Sequence, residues 1–325
     1  VRRLPPAFLT LPPPGDRALP ALVRKVRLLG VRALLTTPGV PFAGRLRREL
    51  EADGPGTLDR VGAADVLPRL LCLAAGIARE EALDGLETLY DSPSPSFAVG
   101  AGAHLAAADT FPMAHLEAHP DKDGNALDLG GRSPEDWVDA LRSALGIVAA
   151  ALPEWDVGIR PHVVGRWVPV GCDDREHRSA SYREAPGLAY LTLHPDPLTM
   201  AEAVLHEAQH SALNLLSWFD PLLDDADDVL VTSPVRPDPR PLRGVLLAAH
   251  AFVPVAAMHL RLAEAEHGAA SGDRFAVRRA EVLRSNEDAL AILEARAHPT
   301  SAGRRVLRDL RGLQDAVVAA TPEAA

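Results

Sequence analysis

The chain has 325 residues, enough for one large domain or two modest ones, and 34 basic residues stand against 44 acidic ones for a net charge of −10. That balance argues against nonspecific nucleic-acid binding, which needs a basic surface. Cys72 and Cys172 supply neither a disulfide framework nor a zinc knuckle and read as small apolar residues in a reducing, cytoplasmic setting.

No run approaches about 20 uninterrupted apolar residues. The basic start Val1-Arg2-Arg3 has no apolar segment behind it, so neither a membrane span nor a signal peptide is expected. Helical patterning is expected over Asp16–Leu35, Phe42–Ala52, Gly62–Ala78 and Glu80–Tyr90. Asp91-Ser92-Pro93-Ser94-Pro95-Ser96 reads as a linker, so residues 1–91 are expected to form an N-terminal helical lobe and 97–325 a metal-binding domain. Phe97–His119 looks partly extended, and Pro120–Asn125 is a turn able to close a hairpin. Asp121, Asp123 and Asn125 lack the remaining ligands of a calcium loop and read as turn chemistry.

Ser133-Pro134 pairs an N-cap with proline at the first helical position, and the helix should run to about Leu152. Val157–Val170 has the β-branched content of a strand. A polar loop with His177 and Tyr182 leads to a second strand, Gly187–Leu193. Beyond it Leu198-Thr199-Met200-Ala201-Glu202 reads as a capping box, with Thr199 as N-cap. The helix so opened carries His206-Glu207-Ala208-Gln209-His210, an HExxH motif. The expected fold is α+β, predominantly α-helical, with a zincin-like strand–helix core carrying that motif.

Residues four apart on a helix share a face, so both imidazoles can reach one metal ion with Glu207 beside it. Val204, Leu205, Ala208, Ala212, Leu215, Leu216 and Phe219 fall in one arc of about 120°, on which the helix should dock. His206 and His210 lie opposite, with Glu207, Leu213, Asn214 and Ser217. An acidic segment, Asp220–Asp228, and a Pro/Arg-rich one, Ser233–Arg243, precede a helix from Leu242 to about Arg261 that is apolar nearly all round. Helices over Arg274–Ala297 and Ala302–Ala319 close the chain.

Two histidines bind a metal poorly without further ligands. A metzincin would need glycine and histidine where Leu213 and Leu216 stand, and Glu264 and Glu266 are ordinary helix-end charges. His250, in an apolar run where an unpaired ring would be costly, is the expected third ligand, with His259, Asp220 and Asp224 as substitutes. Pro254 removes the usual partner of the His250 carbonyl and makes a kink natural there. Arg243 lies two turns before His250 on the same stripe and can clamp a carboxylate; Arg240 and Arg236 are alternatives.

The segment Gly187–Asn214 with Leu205-His206-Glu207-Ala208-Gln209-His210-Ser211, followed by Arg240-Pro241-Leu242-Arg243-Gly244-Val245 and His250, resembles the HEXXH-motif family of proteins that modify ribosomally synthesised peptides. The resemblance implies an iron(II)- and 2-oxoglutarate-dependent β-hydroxylase acting on a side chain of a precursor peptide. Carried over by position, it assigns His206 and His210 as iron ligands, and it covers the C-terminal half of the chain. The same residues also suit a zinc metallopeptidase with Glu207 as general base and Tyr182 or His177 at an oxyanion. A degenerate, peptide-binding zincin is the third class, and the intact motif argues against it.

Overall fold

A computed structural model describes residues 3–100, 102–107, 127–224, 230–232, 234 and 239–321. These are mostly helical, with a small mixed sheet, so the chain is α+β and predominantly α-helical. It forms two compact units, both discontinuous in sequence: Val1–Asp16, Ala140–Pro161 and Asp196–Ala325 in one, Arg17–Asp139 and His162–Pro195 in the other. The expected boundary at residues 91–97 therefore falls inside a unit, and the first residues join the unit of the HExxH helix.

The sheet-containing unit begins with α1 (Ala18–Thr36), α2 (Pro41–Ala52), α3 (Gly54–Val61), α4 (Leu67–Ala75), α5 (Arg79–Leu83) and α6 (Leu86–Asp91). Helix α3 lies between the helices expected over Phe42–Ala52 and Gly62–Ala78 and was not expected. Asp53 caps it by accepting from the Gly56 N–H at 3.1 Å, and Pro55 fits its first turn. The run expected over 80–90 is divided at Gly85, which has φ +63°.

Strands β1 (Ser96–Gly100), β2 (Ala103–Ala106), β3 (Arg166–Cys172), β4 (Ser179–Ser181) and β5 (Leu188–Leu193) form a sheet in the order β1-β2-β3-β5-β4. Its inner pairs are parallel and its outer pairs antiparallel. Every residue of β5 is buried, as an inner parallel strand requires. Val168, Val170, Leu188 and Tyr190 pack with Cys72, whose thiol is pushed up to about 12 by burial, so it is an inert core residue. Cys172, expected to be buried too, is half-buried. Arg166 makes a buried ion pair with Asp65, which also accepts from the Ser94 N–H at 2.9 Å and so ties the strand to the segment after α6. The hairpin turn expected at 120–125 lies outside the described residues.

Helix α7 (Pro134–Ala151) starts as expected: Ser133 Oγ accepts from the Asp136 N–H and the Asp136 carboxylate accepts from the Ser133 N–H, both at 3.1 Å. The strand expected from Val157 begins only at Arg166. The residues before it form α8 (Pro153–Gly158) and α9 (Arg160–Val163), where proline near each start favours a helical first turn over extension.

The other unit is built on α10 (Pro197–Ser217), α11 (Leu242–Glu264), α12 (Gly272–Arg296) and α13 (Ser301–Ala320). By length and composition α11 is apolar enough to cross a membrane, but 83% of its most apolar window is buried within the protein as a core helix. Buried Asn286 of α12 donates to the Phe252 carbonyl at 3.0 Å and to Gln314 of α13 at 3.2 Å. Arg261 of α11 holds Glu154 of α8 through two hydrogen bonds of 2.7 and 2.9 Å. Two short strands, β6 (Leu230–Thr232) and β7 (Pro239–Pro241), precede α11. The N-terminal residues Leu4, Ala7, Leu9, Thr10 and Leu11 are also buried, and Leu9 sits at φ +59°. That backbone region costs a non-glycine residue about 1 kcal/mol or more, which the burial of its neighbours must offset.

Candidate metal centre

The motif helix begins earlier than the capping-box reading has it. Asp196 is the N-cap, accepting from the Leu198 N–H at 3.2 Å and from Thr199 Oγ1 at 2.9 Å, and Pro197 takes the first helical position. Glu202 is therefore free of any capping role. Its carboxylate accepts from His259 Nε2 at 2.8 Å and from Arg278 at 2.7 and 2.9 Å. Burial alone would raise its pKa, but His259 and Arg278 hold it below the usual carboxylate value.

Burial singles out the histidines more sharply than the helical wheel does. From Met200 to Leu216 every residue of α10 is buried except His206 and His210. The expected docking stripe is thus too narrow, and Phe219, placed on it, lies beyond the helix end at 47% exposure. A helix packed on nearly all sides opens to solvent at the two imidazoles.

Donor atoms of His206, Glu207 and His210 all lie within 4.8 Å of one another. The imidazole centroids are 4.2 Å apart with planes at 78°, and Glu207 Oε1 is 4.0 Å from His206 Nε2. Metal–nitrogen bonds of about 2.0–2.1 Å place two ligand nitrogens roughly 3 Å apart, so small side-chain rotations bring this group onto one ion. Two imidazoles and a carboxylate suit zinc or iron(II).

His250 does not join that group. It is fully buried, its Nε2 lies 3.3 Å from Thr10 Oγ1, and burial, with His210 nearby as a second cause, pushes its pKa down to about 3. Its Nδ1 is buried with no hydrogen-bond partner among the described residues. His259 and Asp220 are engaged elsewhere, and Asp224 is not grouped with the three donors. His259 is locked to Glu202 and stacks edge-on against Phe275 at 5.4 Å. Asp220 accepts from Thr300 Oγ1 at 2.6 Å and the Leu222 N–H at 2.8 Å, while the Asp224 N–H donates to the His298 carbonyl at 2.9 Å.

Arg243 lines a small recess with Leu213, Asn214 and Ser217, the residues that follow His210 along the same face of α10. Arg240 lies in β7, paired in register with Val231, and Arg236 lies outside the described residues. His177 and Tyr182 belong to the sheet-containing unit, where Tyr182 packs edge-on against Tyr190 at 5.9 Å.

Four contributors escaped the sequence reading. Phe252 packs edge-on against His206 with centroids 4.7 Å apart, and the Arg278 guanidinium stands 5.8 Å from the Phe252 centroid. Gln209, inside the motif, donates to the Leu9 carbonyl at 2.9 Å and accepts from Trp155 Nε1 at 3.2 Å in the amide orientation that satisfies both. Thr10 meets His250. Phe252 could have been suspected from its place two residues after His250; the N-terminal partners carry no sequence signal. No family model matches the chain, and no curated protein is significantly similar to it.

Proposed function

We propose that the protein is a metal-dependent enzyme whose ion is held by His206 and His210, with Glu207 completing the donor set, and that it is an iron(II)- and 2-oxoglutarate-dependent hydroxylase of a peptide side chain. The observation that carries the reading is the solvent opening of an otherwise buried helix at these two histidines, with a carboxylate within donor reach. Two imidazoles and one carboxylate match the facial triad of non-haem iron oxygenases, which leaves positions for a chelating oxoacid and dioxygen. Iron(II) with 2-oxoglutarate and dioxygen supplies C–H hydroxylation, releasing succinate and carbon dioxide.

The remaining work falls to the chain itself. Arg243 of α11, which lines a recess with Leu213, Asn214 and Ser217 beyond His210, would hold the far carboxylate of the oxoacid. Phe252 forms an apolar wall against His206, limiting water on that side. A cytoplasmic location and a ribosomally made precursor peptide as partner belong to the same reading.

The test is anaerobic loading with iron(II), then addition of air, 2-oxoglutarate and a candidate peptide. Succinate with a product heavier by about 16 Da is expected, the mass of one oxygen atom. A zinc peptidase is the second reading, favoured by the placement of the buried Glu207 carboxylate beside His206. Glu207→Gln separates the two: as a donor its loss weakens metal binding, whereas as a general base its loss abolishes peptide cleavage and leaves the metal in place.

A further inference from the structure

Thr199, Glu202, His206, His210, Leu213 and Ser217 recur at three- and four-residue spacing and so form one stripe along α10. A depression lies at each end of that stripe. The Arg243 recess adjoins Leu213 and Ser217. At the other end, Thr199 and Glu202 line a cleft of about 750 Å³, shared with Ile147, Arg274, Phe275 and Arg278. The volume is in the range that takes a drug-sized ligand or a few residues of peptide.

The charge of the cleft is not what its composition suggests. Of its two acids, Asp196 is turned onto the start of α10 and Glu202 onto His259 and Arg278. Arg274 is exposed, and among the described residues it has no acidic partner. Arg278 keeps 40% of its side chain exposed. Ile147 and Phe275 add apolar surface, and the hydroxyls of Ser143, Thr199 and Ser271 add hydrogen-bonding groups. Arg274, exposed and with no acidic partner among the described residues, stands beside apolar side chains and the Glu202- and Glu281-paired Arg278, and fits a carboxylate carried on an apolar backbone.

We propose that this cleft binds an acidic residue of the substrate peptide, held by Arg274 with Arg278, while the residue to be modified faces His206 and His210. The proposal rests on the peptide-modifying reading above and names where that peptide is gripped. Thr199 and His206 are seven residues apart, about 10 Å along the helix axis. An extended peptide covers that distance in about three residues. Arg278 also backs Phe252, which packs on His206, so cleft and metal pair share a wall.

The experiment uses metal-free full-length protein and fluorescein-labelled nonapeptides of alanine and leucine, carrying one central aspartate or one asparagine. Fluorescence anisotropy should show the aspartate peptide binding about tenfold more tightly, the scale of one charge-assisted hydrogen-bonded contact. Arg274→Ala should erase that preference, and Arg274→Glu should reverse it. Equal affinity for the two peptides, no saturable binding, or a preference unchanged in Arg274→Glu would overturn the proposal. Cobalt(II) absorption, titrated on the same variants, reports the metal pair separately. Loss of cobalt binding by the parent protein would sink the functional reading, while intact cobalt binding with no aspartate preference sinks only the cleft.

Discussion

Two helices carry two histidines each, and they use them in opposite ways. On α10, His206 and His210 reach solvent and face each other across 4.2 Å. On α11, His250 and His259 are both fully buried, one beside Thr10 and the other donating to Glu202. A buried imidazole in an apolar run needs a partner, but that partner need not be a metal. What separates the two pairs here is access: an ion and its substrate would have to be able to arrive.

The sharpest break between the pairs is metal affinity. His206→Ala or His210→Ala should lower cobalt(II) or iron(II) affinity by roughly 100-fold or more, with a smaller change in urea midpoint than substitution of the fully buried His250, since both side chains are half-buried. His250→Ala should leave affinity within about threefold while costing about 2 kcal/mol of stability through the cavity it opens. Loss of metal in that variant alone would return His250 to the ligand set.

Stability should sort the other way. His259→Ala leaves a buried carboxylate with only Arg278 and should cost about 3 kcal/mol, read by chemical denaturation. The buried His250 adds a pH signature. Its folded pKa is depressed to about 3 from an ordinary 6.5, so its contribution is complete above 6.5 and declines as pH falls toward 3. Unfolding free energy of the metal-free protein should drop by about 1.4 kcal/mol per unit over that window, and His250→Gln should flatten the slope. The smallest effect belongs to the cap: Asp196→Ala should cost about 1 kcal/mol and leave metal affinity alone, because the helix is held by packing on nearly all its sides.

Much of the centre was legible because its logic is local. Two histidines at four-residue spacing, proline after a capping residue, and apolar periodicity each act within a few residues. What was illegible acts across the chain. Glu202 looks like the end of a capping box, and only the meeting of α10, α11 and α12 reveals its pairing with His259 and Arg278. Val157 and Val163 suggested a strand, yet neighbouring prolines set the first turns of α8 and α9. The Pro-rich start has no periodicity at all, so nothing in it announces that Leu9 and Thr10 reach Gln209 and His250.

That burial has a consequence for the order of assembly. Residues 4–11 leave the ribosome before any other part of their compact unit, but their partners Gln209 and His250 are made much later. The intervening unit, Arg17–Asp139 with His162–Pro195, has all its sequence available before the HExxH helix emerges. Contacts of such long sequence separation close late and slowly. Residues 4–11 must therefore wait undocked during synthesis until the motif helix they meet has emerged.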